Sequence, residues 1–200
     1  MLFGNPHEFA IWADPVWEWS QASTVEGLYV MCIDGIFLLK RSTLSAMAVT
    51  VSGESDFWAH HLNSIENGQQ TPTAGRNKDL LLFSALISRG GLDYLPQSIE
   101  TQKTQLLDEL SRYGLPSFDS SEGIDLTPME TGDYGWFVYL FFDEKSNEDV
   151  IVYANFEDPH YEARELRLPS GRVKEILAQL VTETKVLDQR RAHSPPGLGE

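Results

Sequence analysis

The apolar positions near the N-terminus follow the alternation of strands. Phe9 and Ile11 fall on one side of an extended segment and Ala10 and Trp12 on the other, until Asp14-Pro15 interrupts the run before Val16, Trp17 and Trp19. Proline has no amide hydrogen to give a sheet ladder, so the interruption predicts a bulge or an edge strand. Trp17 and Trp19 then share one strand face, and their rings are expected to pack over the sheet or a helix. GLYVMCI and IFLLK follow on either side of Asp34-Gly35, a dipeptide that supplies the positive backbone angles of a two-residue hairpin turn.

The pattern then changes period. After STLSAMAVTVSG, in which Val49 and Val51 favour a short extended piece, Trp58, Leu62 and Ile65 recur at helical spacing, with Ser55 as the expected cap. ENGQQTPTAGRN reads as a polar loop. From Asn77 the run KDLLLFSALISR is apolar on most sides, as a buried helix would be, and stops at Gly90-Gly91. A further helix starts near Ser98, carries Ile99, Leu106, Leu107 and Leu110 on one face, and ends at Gly114 and Pro116.

GWFVYLFF predicts a strand apolar on both faces, EKSNED its polar connection and VIVYANF the returning strand; YEARELRL alternates weakly enough to be an edge strand. Ser170 is the expected cap of an amphipathic helix with Val173, Ile176, Leu177, Leu180 and Val181 on its apolar side. From about Val186 no apolar period remains, so residues 186–200 read as a flexible tail and residues 1–185 as one domain. The fold class expected is α+β: a mainly antiparallel sheet of five to seven strands with three or four helices packed against it.

Charge narrows the function. Of 200 residues, 30 are acidic and 15 are Lys or Arg, a net of -15, which disfavours nucleic acid or an anionic membrane as partner. Residues 1–66 carry 8 acids and 2 bases and residues 117–168 carry 13 and 3, whereas residues 67–116 balance at 5 and 5, so the excess lies in the strand-rich regions. The longest apolar run, Trp136 to Phe142, is far short of the roughly 20 residues of a membrane helix. Met1 is followed by no basic and apolar leader pattern, so the chain reads as soluble and not exported. Cys32, the single cysteine, lies in an apolar run that would bury it and raise its pKa, which argues against a nucleophile.

Motifs of catalysis are missing: there is no phosphate-cradling glycine loop, no G-x-S-x-G, no CxxC and no H-E-x-x-H. No cofactor, metal ligand or catalytic residue is therefore assigned. A small hydrolase using His60, His61 or His160 with neighbouring carboxylates stays as the alternative, although His60 and His61 point to different sides of their helix. An acidic adaptor domain is a further one. The acids that flank the expected strands are the candidate partner-binding residues: Glu8, Asp14 and Glu18 in the first region, and Asp143, Glu144, Glu148, Asp149, Glu157 and Asp158 around the second hairpin.

Gly4-Asn5-Pro6, Phe9-Ala10-Ile11, Trp19-Ser20, Gly27-Leu28 and Asp34-Gly35 occur in the order that opens the Imm42 family of bacterial immunity proteins, and the N-terminal part of the chain resembles that family. The resemblance implies a cytoplasmic, non-catalytic protein without cofactor. Such a protein is encoded beside a polymorphic or contact-dependent toxin, whose C-terminal domain it binds and neutralises. An acidic chain poor in motifs suits a stoichiometric blocker of a basic nuclease, since carboxylates can occupy a groove built for phosphates.

Overall fold

The structure, a computed structural model, describes residues 1–20, 25–39, 47–89, 100–114, 122–127, 135–158 and 162–192. The chain forms two compact units, one from residues 1–63 with 173–200 and the other from residues 64–172. The α+β class and the antiparallel pairing hold. The strands number nine among the described residues, however, and form two sheets where one was expected. Each hairpin system seeds its own sheet.

In the first unit, β1 (Leu2–Gly4), β2 (Phe9–Pro15), β3 (Glu26–Ile33), β4 (Ile36–Phe37) and β5 (Met47–Thr50) build an antiparallel sheet centred on β3. β2 pairs along one edge of β3 from Phe9↔Ile33 to Pro15↔Gly27, which leaves β4 and β5 to share the other edge. The β3–β4 turn is the Asp34-Gly35 dipeptide read from sequence, with φ of 51° and 74°; both central residues of such a turn need positive φ. Gly4 has φ +93°, and a Cβ there would stand 2.3 Å from the Phe9 carbonyl oxygen, so only glycine lets β1 lie this close to β2.

Helices α1 (Val51–Glu66) and α4 (Arg172–Ala192) complete this unit. Trp58 of α1 is fully buried and stacks on Tyr29 of β3, ring centroids 6.2 Å apart. α1 starts four residues before the expected cap: Ser55 lies inside it, buried, with its hydroxyl 2.9 Å from Thr184 Oγ1 of α4. A tertiary partner has taken the group that the sequence offered as a cap. Similarly, α4 begins after Ser170, which is exposed, and its helix runs through the expected tail to Ala192. Its buried stripe continues as Leu180, Thr184 and Leu187, the last packed with Val25; a threonine at the middle position hid the period.

In the second unit, β6 (Ile124–Asp125), β7 (Trp136–Asp143), β8 (Glu148–Asn155) and β9 (Arg164–Pro169) form an antiparallel sheet in sequence order. α2 (Lys78–Ser88) is buried from Leu80 to Ser88 because it is covered on two sides. Leu81, Leu82, Ala85 and Leu86 pack on Tyr139, Phe141, Val150 and Val152 of the sheet, while Leu80, Phe83 and Ile87 meet Leu110 of α3 (Glu100–Ser111). Each leucine buried in this way contributes roughly 1.5–3 kcal/mol. Asn77 caps α2, its side chain accepting from Leu80 N at 2.9 Å. The expected helix signals Ser98, Ile99, Gly90-Gly91 and Pro116 lie outside the described residues.

Candidate partner-binding surface

The first-unit acids do not share one face. Glu8 sits in the turn before β2, half-buried, where its carbonyl accepts from Asp34 N at 2.7 Å. Glu18 lies beyond the other end of that seven-residue strand, roughly 20 Å away at about 3.3 Å per residue. Asp14 is half-buried and paired with the N-terminal ammonium of Met1, so its charge is answered within the chain.

Trp17 and Trp19 overturn the expectation of burial. β2 ends at Pro15, and the chain then folds into overlapping turns, with Trp19 N donating to Val16 O at 3.0 Å and Ser20 N to Trp17 O at 3.2 Å. Val16 N donates to Glu26 O at 2.8 Å, and the Ser20 hydroxyl both accepts from Glu26 N and donates to Val16 O, each at 3.0 Å. A closed turn replaces the expected strand face, and it leaves Trp17 45% and Trp19 51% exposed with Glu18, also exposed, between them. Trp12, still within β2, is half-buried opposite Val30.

In the second unit the strand register sorts the acids. Both faces of β8 are buried from Asp149 onward, so Glu148, at the strand's first position, stays half-buried beside the turn while Asp149 is 1% exposed, 3.5 Å from Gln70 Nε2. Asp149 is thereby removed from the candidate contact surface. Glu148 and Asp143 face each other across the hairpin, and both meet Arg167 of β9: Nη1 donates to Asp143 Oδ2 at 2.8 Å and to Glu148 Oε2 at 3.2 Å, and Nε to Glu165 Oε1 at 2.6 Å. The Arg167 hydrogen bond foremost holds the Asp143 carboxyl below its ordinary range; Ser146, followed by Arg167, does so for Glu148. The hydrogen bonds that Arg167 donates to Asp143 and Glu165 push its pKa up. Three carboxylates on one cation leave a local excess of negative charge, held in fixed geometry. Glu144 and Glu157 are exposed, the latter after β8; Asp158 is half-buried beside it.

Sequence reasoning missed the arginines. Arg76, buried ahead of α2, donates to Glu122 Oε2 at 2.7 Å, Ser84 Oγ at 3.2 Å, Thr73 O at 3.1 Å and Pro72 O at 3.0 Å. Arg89, closing α2, donates to the carbonyls of Glu122 at 2.8 Å and Gly123 at 2.7 Å and lies over the Tyr139 ring. Both pin the segment leading into β6. No local signal marked them, because residues 67–116 balance acids and bases at 5 and 5 and their partners at Glu122 and Gly123 lie beyond that stretch.

The histidines do not converge. His60 is exposed, whereas His61 packs edge-on against Phe57 at 4.3 Å; His160 lies outside the described residues. Among the described residues no group of three or more His, Cys, Asp or Glu is placed to hold a metal ion. Cys32 is buried, donates to Pro6 O at 3.1 Å, and has its thiol pKa raised by burial.

The model of the Immunity protein 42 family matches residues 1–183. The chain belongs to that family. The match carries the resemblance of the N-terminal motifs through both units and into α4, and it makes the chain an immunity protein, one that neutralises a toxin. A crystal structure of CdiI from Burkholderia dolosa AUO158 has the same fold, with a TM-score of 0.52 at 18% identity over 92% of this chain and 99% of that one. Comparison with curated proteins returns no match. Among the described residues no helix is long and apolar enough to cross a membrane.

Proposed function

We propose that this immunity protein acts in the cytoplasm by stoichiometric binding to the C-terminal domain of a toxin encoded beside it, and that the toxin is a basic nuclease. The observation that carries this reading is the net charge of -15, together with acids that the fold leaves open. Among the described residues Glu18, Glu144 and Glu157 are exposed and form no ion pair. A field of that sign attracts a cationic groove, and carboxylates placed in such a groove compete with phosphates. No step of catalysis by this chain is needed.

The test is expression of the neighbouring toxin's C-terminal domain with and without this chain. Growth should be restored by co-expression, the purified pair should elute as a one-to-one complex, and cleavage of DNA or RNA should stop at equimolar immunity protein. Restored growth without a complex would overturn the binding mechanism. A complex that forms with a toxin lacking nuclease activity would overturn the substrate assignment alone.

A further inference from the structure

We infer that the Trp17-Glu18-Trp19 turn is the anchor by which the chain grips its toxin, receiving an arginine or lysine side chain of that partner between the two indoles and the carboxylate. The inference rests on the proposed function and deepens it, since it names the contact. Three observations point the same way.

The first is exposure without structural need. Trp17 and Trp19 stand 45% and 51% exposed, whereas Trp58 in the same unit is fully buried. The turn that carries the pair is closed by backbone and Ser20 hydrogen bonds, none of which involves an indole. Rigid, exposed tryptophans on a pre-formed turn lose little conformational freedom on docking, and tryptophan is enriched among the residues that dominate binding energy.

The second is charge. Residues 1–39 hold five acids, Glu8, Asp14, Glu18, Glu26 and Asp34, and no lysine or arginine. The N-terminal ammonium is taken by Asp14. Glu18, by contrast, is exposed, forms no ion pair among the described residues and lies between the two exposed tryptophans in sequence. Aromatic faces attract cations, and a carboxylate beside them adds a charge-assisted hydrogen bond, a combination suited to a guanidinium or an ammonium. The same charge disfavours a second copy of this chain as occupant, because that would bring Glu18 and a molecule of net charge -15 against its own like.

The third is further exposed apolar surface in the same sheet. Leu2 of β1 is 52% exposed and pairs with Trp12 of β2, the strand that leads into the turn. Aromatic and apolar side chains with few competing cations have the make-up of an interface centre.

The experiment measures binding of the full chain to the toxin's C-terminal domain by calorimetry, alongside sedimentation of the chain alone. W17A/W19A should weaken binding at least about 100-fold, W17F/W19F should recover part of the loss, and E18K should weaken it roughly 10-fold. The melting temperature of each variant should stay within about 2 °C of wild type, as surface substitutions do. If W17A/W19A fails to fold, E18K and the Phe pair carry the test. Wild-type binding with W17A/W19A affinity unchanged within about 3-fold would overturn the inference and leave the function standing. A wild-type dimer that the double variant dissolves, with toxin affinity intact, would assign the turn to self-association and overturn it too. A wild-type chain that does not bind the toxin overturns the function and the inference with it.

Discussion

Ser55 and Thr184 form a contact between two helices that rests on one oxygen pair. Thr184 Oγ1 lies 2.9 Å from Ser55 Oγ and 2.9 Å from the Leu180 carbonyl, and both side chains are buried. Removing the Thr184 hydroxyl strands that of Ser55, whereas Thr184 keeps the Leu180 carbonyl when the Ser55 hydroxyl is lost, and removing both leaves a small apolar contact. Thr184→Val should therefore destabilise by about 1–2 kcal/mol and Ser55→Ala by less, and the double variant by less than their sum, with a coupling of about 0.5–1.5 kcal/mol. Urea unfolding of the four proteins checks it, and strict additivity would dissolve the pair. At this scale the sequence was only partly legible. Ser55 had the right chemistry and the wrong role, because a hydroxyl that can cap a helix can equally serve a partner 129 residues away. Trp58 and Trp17 have the same side chain and opposite fates, which helical spacing foretold for the first and strand alternation misread for the second.

Elements whose environment is set locally were read well, and those set by distant partners were not. The Asp34-Gly35 hairpin needs only its two positive φ angles, and α2 declared itself by being apolar all round. Charge had grouped Glu148 with Asp149, although a strand apolar on both faces buries an acid placed one residue further in. The anchoring of α2 was invisible, since Arg76 and Glu122 are 46 residues apart. Arg76 has a side chain 7% exposed and Glu122 one 19% exposed, so Arg76→Ala strands an acid with little water. The loss should be about 3 kcal/mol, the lower end for a broken buried pair, and thermal unfolding would report it; a variant as stable as wild type would show that the loop repacks freely. On β9, Arg167 holds Asp143 and Glu148 below their ordinary pKa values. Depressed carboxyl values contribute stability that is present above the unfolded value and lost as pH falls through the folded one. Arg167→Gln should therefore move both titrations upward in carbon-detected NMR. Asp143 should respond more, because Arg167 is its largest influence whereas Ser146 comes first for Glu148; unmoved titrations would refute the ion network.

The whole molecule sets the field in which any of these contacts is made. With 30 acids against 15 Lys and Arg, one-to-one pairing would still leave 15 acids over. Pairing retires some of it at short range, as Arg167 does for Asp143 and Glu148, but a fixed ion pair within an acid excess still contributes net negative potential at a distance. Steering and contact are then separable. Steering acts on the encounter and is screened as the Debye length falls from about 14 Å at 50 mM salt to about 4 Å at 500 mM. The close contacts of a docked interface, partly shielded from solvent, are screened much less. The rate of association with the toxin domain should thus fall at least about 10-fold across that range while dissociation changes by less than about 3-fold, measured by stopped flow. W17A/W19A should show the opposite signature, faster dissociation with the salt slope of association retained, because truncating an anchor leaves the net charge at -15. An association rate indifferent to salt would remove charge as the steering force and leave the aromatic turn to account for recognition by itself.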